Sequence, residues 1–101
     1  MDILPQHLAI IQAILKKYPY TFYAFGSRVT GRARPLSDLD LCFMEEMPLS
    51  VQAQLEGEFE ESDLPYKVDI VDYHRCSEDF KKIITPDLIL FHSGSHPETE
   101  I

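Results

Sequence analysis

"FGSRVTGRARPLSDLDL", residues 25–41, decides how this chain is read. Gly26-Ser27 is followed, after ten intervening residues, by Asp38-Leu39-Asp40. Just upstream, "TFYAF" (21–25) is aromatic and β-favouring, which predicts a strand broken by Gly26. Downstream, "SDLDLCF" (37–43) alternates with period two. Asp38, Asp40 and Cys42 then share one face of a strand, and Leu39, Leu41 and Phe43 the other. The expected order is strand, glycine turn, strand, with Ser27 opening a short helical turn.

The spacing has chemical consequences. Side chains at i and i+2 of a strand leave the same face, with Cα atoms roughly 6.5–7 Å apart. Two carboxylates converging there repel by on the order of 1–4 kcal/mol, depending on the local dielectric. A divalent cation turns that repulsion into binding, and an all-oxygen ligand set suits Mg²⁺. "YKVDIVD" (66–72) predicts another strand, with Lys67, Asp69 and Val71 on one face and Val68 and Ile70 on the other. Asp69 on a strand beside the first two acids would complete a two-metal cluster. The competing reading for Asp69 is an ordinary ion pair with Lys67.

The turn adds the complement. Gly26 lets the backbone bend and approach a ligand. Free N–H groups at Ser27, with its hydroxyl, form an anion site. Arg28, Arg32 and Arg34 add positive charge, although Arg32 and Arg34 read better as a solvated loop. A phosphate cradle beside a metal site is what phosphoryl or nucleotidyl transfer needs. Other motifs fail. "GSRVTGRA" mimics a P-loop, but Arg32 stands where lysine belongs, Ala33 where Ser or Thr belongs, and Pro35 forbids the long helix. Ser27 lacks a hydrolase nucleophile setting. His7, His74, His92 and His96 show no motif spacing. Cys42 reads as a packing residue, Asp72 as structural.

The chain has 101 residues, 45% of them hydrophobic, enough for one domain with a small core. Nine basic against 17 acidic residues give a formal charge of −8. That sign argues against a membrane surface and against stable nucleic-acid binding, and is compatible with cations or a basic protein partner. No apolar run reaches the ~20 residues of a membrane span. An acid at position 2 is unlike a signal peptide, and two cysteines are too few for a disulfide framework. The expectation is a cytoplasmic protein with reduced thiols.

Outward from the motif, residues 5–18 predict a helix opened by Pro5 and stopped by Pro19. Residues 49–62 predict a helix on Leu49, Val51, Leu55 and Phe59; residues 77–84, one capped by Ser77; residues 88–91, a short apolar strand. The seven acids and absent Lys and Arg between Glu45 and Asp63 read as a solvated face. The fold class is α/β (α+β): a mixed sheet with helices covering one side. The domain is expected over residues 1–92, with a loose polar tail over 93–101.

"GSRVTGRARPLSDLDL", with a later strand carrying Asp69, resembles the signature of the polymerase-β-like nucleotidyltransferases. The small size and "FKKIITPDLILF" are similar to the minimal nucleotidyltransferases paired with HEPN-type helical partners in toxin–antitoxin modules. The resemblance spans about residues 5–91. It implies that Gly26 and Ser27 hold the nucleotide phosphates, with Arg28 a further phosphate contact. It also implies that Asp38 and Asp40 bind catalytic Mg²⁺, and that Asp69 shares one metal and helps deprotonate the attacking hydroxyl. The implied activity is Mg²⁺-dependent transfer of AMP from ATP to a tyrosine of the partner toxin. The alternatives are a non-catalytic antitoxin acting by contact, and a transferase acting on a small molecule or an RNA end. Little chain remains to hold an acceptor, which is expected to come from a second protein.

Overall fold

Pro5 opens the first helix, α1 (Pro5–Leu15), at a position where its missing N–H leaves no bond unmade. The computed structural model in which this is seen describes residues 1–94. α1 stops at Leu15, short of the expected end. The Lys17 and Tyr18 amides bond instead to the Ile14 and Leu15 carbonyls, at 3.2 and 3.0 Å, in tighter i→i−3 turns. The chain then runs β1 (Phe22–Phe25), α2 (Ser27–Thr30), β2 (Leu39–Phe43), α3 (Leu49–Glu60), β3 (Val68–Asp72), α4 (Glu78–Ile84) and β4 (Ile89–His92). Short 3₁₀ turns at Tyr73–Arg75 and Thr85–Asp87 flank α4.

The four strands form one mixed sheet in the order β3-β2-β1-β4. β1 is antiparallel to β2 and to β4; β2 and β3 are parallel, joined through α3. Period-two alternation gives the sheet two unlike faces. Phe22, Ala24, Leu39, Leu41, Phe43, Val68 and Ile70 meet α1 and α3 through Ile11, Leu15, Leu55 and Phe59 in the main core. The Lys17 ammonium and Tyr18 hydroxyl both engage Glu58, tying the end of α1 to α3.

The other face carries Phe25 and Cys42, packed with Ile84 of α4. The helices therefore cover both faces, not one: α4 crosses the face that also carries the aspartates. Ser77 caps α4 as expected, its Oγ accepting from the Phe80 amide at 3.1 Å. Leu49 is exposed and gives α3 no core support. β4 runs one residue further than expected, to His92, and burial lowers that imidazole's pKa. Gly94 donates to Thr21 Oγ1 at 3.1 Å, and a Cβ at Gly94 would lie 2.4 Å from the Tyr20 carbonyl carbon, an approach only glycine permits. The rest of the expected tail lies outside the described residues.

Candidate active site

β2 ends its apolar duty at the backbone and begins its chemistry on the opposite face. Leu39, Leu41 and Phe43 are fully buried in the main core, which fixes the strand's roll. The same roll turns Asp40 toward the α4 face, half-buried. Asp40 stands in register with Asp69 across the parallel β2–β3 pair. Neighbouring strands lie roughly 5 Å apart, so these two side chains leave the same face side by side. Burial, then the Asp69 charge, then the Asp38 charge push the Asp40 carboxyl up to about 6. Asp38 lies just before the strand and is exposed.

Gly26 closes in from β1. Its φ of 87° belongs to the region glycine favours, and a Cβ there would lie 2.2 Å from Asp40 Oδ2. The glycine is thus required twice: for the bend and for the approach to the carboxylate. Its carbonyl accepts from the Val29 and Thr30 amides, leaving the Ser27 and Arg28 amides ahead of the first bond of α2. The Ser27 hydroxyl takes no protein partner among the described residues.

Arg28 is only 5% exposed, and its guanidinium is engaged by the protein itself. Its Nε and Nη2 donate to Ser37 O at 3.0 and 2.6 Å, its Nη1 to Asp2 O at 2.7 Å, and Nη2 also to Pro35 O at 3.1 Å. The guanidinium carbon sits 3.8 Å from the centre of the Tyr66 ring. Four hydrogen bonds run from the guanidinium to carbonyls, so Arg28 braces the loop that leads to Asp38. Arg32 and Arg34 are exposed, matching the solvated-loop reading. Asp72 caps the 3₁₀ turn through His74 N at 3.0 Å, a structural role. Cys42 is fully buried, and burial pushes its thiol up to about 11.

The three aspartates are neighbours without forming a ready clasp. Among the described residues, no three of Asp, Glu, His and Cys gather closely enough to hold one ion. Asp38 is exposed, and Asp69 Oδ1 lies 3.4 Å from Lys67 Nζ, the ion pair weighed from the sequence. The donor chemistry still suits Mg²⁺, which binds through one or two carboxylates and fills its shell with phosphate oxygens and water. Asp40 and Asp69 provide such a pair.

A cavity of about 370 Å³ opens over Gly26, Asp40 and Asp69, walled by Phe80 and Ile83 of α4 and by Asp87. Sequence reasoning passed over these last three. Phe80 and Ile83, three apart on a short helix whose inward residue is Ile84, could have been flagged as a second stripe.

The chain matches the family "Polymerase beta, Nucleotidyltransferase" over residues 10–95. It is 48% identical, over 88 residues, to the "Probable protein adenylyltransferase MntA" of Haemophilus influenzae, covering 83% of this chain and 77% of that protein. Its fold is similar to a chain of "Crystal structure of the toxin-antitoxin with AMP-PNP", with a TM-score of 0.66 and 19% identity over 92% of this chain and 77% of that one. With a mixed sheet, a Gly-Ser turn and register-matched aspartates, the chain belongs to the polymerase-β-type nucleotidyltransferases.

Proposed function

We propose that this chain transfers AMP from ATP to a hydroxyl, that of a tyrosine, on a HEPN-type helical partner toxin, and silences it as an antitoxin. The observation that carries the reading is the register match of Asp40 and Asp69 beside the Gly26 bend. The 48% identical relative, named a probable protein adenylyltransferase, supports the protein acceptor.

In this reading the triphosphate lies along the turn at Gly26 and Ser27, where unpaired amides face it. Asp38, Asp40 and Asp69 would hold Mg²⁺, which supplies charge neutralisation for the phosphates. The acceptor oxygen attacks the α-phosphorus from the Asp69 side, and Asp69 takes the hydroxyl proton. The bond between the α-phosphorus and the bridging oxygen to the β-phosphate breaks, and pyrophosphate leaves with the electron pair. Burial, then the Asp69 and Asp38 charges, raise the Asp40 carboxyl, and a bound cation would offset all three.

The test is transfer of label from α-labelled ATP to the co-expressed partner, followed by mass spectrometry of the modified residue. Asp38→Asn and Asp40→Asn should each lower transfer by on the order of a hundredfold or more. Full transfer by both variants would defeat the assignment. A contact-only antitoxin is the second reading, favoured by the absence of a ready three-carboxylate clasp among the described residues. Its signature is rescue of cell growth by Asp38→Asn at normal expression.

A further inference from the structure

The cavity over Asp40 and Asp69 has a wall that catalytic carboxylates alone do not explain. Ile83 is 68% exposed and Phe80 37%, large apolar side chains left toward water beside three acids, Asp40, Asp69 and Asp87. The wall is also firm. The Phe80 ring stands edge-to-face on Phe25 at 5.9 Å, its amide is capped by Ser77, and Ile84 anchors α4 beneath. A wall already in place orders little on binding, which favours a specific occupant.

Charge and position select that occupant. Where no cation bridges them, carboxylates repel phosphate groups, and Asp87 stands apart from the three aspartates assigned to Mg²⁺. Of the residues placed on the phosphate side, Gly26 and Asp40 line this cavity and Ser27 and Asp38 do not, while Asp69 lines it together with Phe80, Ile83 and Asp87. What enters here must present an apolar body to α4 and a hydroxyl to the carboxylates. We propose that Phe80 and Ile83 form the acceptor subsite, seating the apolar body of the side chain whose hydroxyl receives the nucleotide. This rests on the nucleotidyl-transfer reading above and names the residues that select its acceptor.

The test separates the two. Full-length chain is titrated with N-acetyl-tyrosinamide and, separately, with N-acetyl-serinamide, while backbone amides are followed by NMR. Shifts at Phe80–Ile84 with the tyrosine probe, weaker with the serine probe and lost in Ile83→Asp, are expected. In transfer assays, Ile83→Asp and Phe80→Ala should raise the KM for the tyrosine probe about tenfold, with little change in kcat. Their dissociation constants for ATP should stay within about twofold of the parent. Ile83 is exposed, so its variant keeps the fold even if Phe80→Ala does not.

Loss of ATP affinity in the wall variants would assign the wall to the base and overturn the inference. Wild-type behaviour in both measurements would overturn it too, and leave the transfer reading standing if Asp40→Asn is inactive. Probe binding at α4 in a chain that transfers nothing would remove the transfer reading, and the acceptor assignment with it.

Discussion

The two faces of the sheet are built from the same strands and obey opposite rules. On one, Leu39, Leu41 and Phe43 disappear beneath α1 and α3. On the other, a step of one residue along β2, Asp40 faces a cavity only partly roofed by α4. The first face stabilises the sheet by apolar burial. The second gathers carboxylates that repel one another, and it persists because the first holds the strands in register. Chemistry on one side is thus supported by packing on the other, and substitutions one residue apart should have opposite signs.

Leu41→Ala is the largest expected effect. Leu41 is fully buried at the centre of the main core, and truncation should cost about 2–5 kcal/mol of unfolding free energy. Urea denaturation measures it. For a domain this small that is a large share of the total, so activity should fall through loss of folded protein and return with stabilising osmolytes. A loss under 1 kcal/mol would mean that the core face does not hold the register.

Gly26→Ala tests where the faces meet across β1 and β2. Holding alanine at φ 87° costs on the order of 1–3 kcal/mol. Its Cβ would also press on Asp40 Oδ2. Stability should drop and divalent-metal affinity with it, because the carboxylate must turn away. Thermal unfolding with and without Mg²⁺ reads both. Unchanged metal stabilisation would uncouple the turn from the aspartate.

Much of this contrast was legible in the sequence. Period two over 37–43 separates Asp40 from Leu41 without a structure, and Gly26 announces its bend. Register was not legible: nothing local says that Asp69, rather than Lys67 or Val71, stands opposite Asp40, because the parallel pairing is set through the α3 crossover. The partners of Arg28 were hidden for a similar reason. Its proximity to the turn is local, but the Asp2, Pro35 and Ser37 carbonyls that engage it are brought there by folding. α4 was read as one more covering helix because Phe80 and Ile83 carry the same apolar signal whether they end in a core or beside a cavity.

Asp40→Asn should move stability the other way from Leu41→Ala. The Asp40 carboxyl is raised from 3.8 to about 6 in the folded chain. Below 3.8 the group is protonated in both states and the variant should match the parent. As pH rises toward 6 the folded state holds the proton more tightly, so the parent loses stability across that window and the variant does not. Above it the variant should keep a higher Tm, and added Mg²⁺ should narrow the gap by stabilising only the parent. Equal melting curves from pH 4 to pH 8 would contradict the crowding of charge at Asp40.

The smallest expected effect bears on how the carboxylate face is held. Lys67 Nζ lies 3.4 Å from Asp69 Oδ1, and the two side chains are 66% and 44% exposed. An ion pair this open contributes between 0 and about 1 kcal/mol, so Lys67→Met should barely change urea unfolding. The ammonium nevertheless competes for the oxygen that a divalent ion would take. Removing it should tighten Mn²⁺ binding about two- to fivefold, the range that a pair worth up to about 1 kcal/mol allows. The difference between parent and variant should shrink in high salt, because an exposed pair is screened. Calorimetric titration of the free chain reads this without any turnover. Weaker Mn²⁺ binding in the variant would mean that Lys67 does not compete for Asp69, and the two faces would then differ in packing alone rather than in how their charges are compensated.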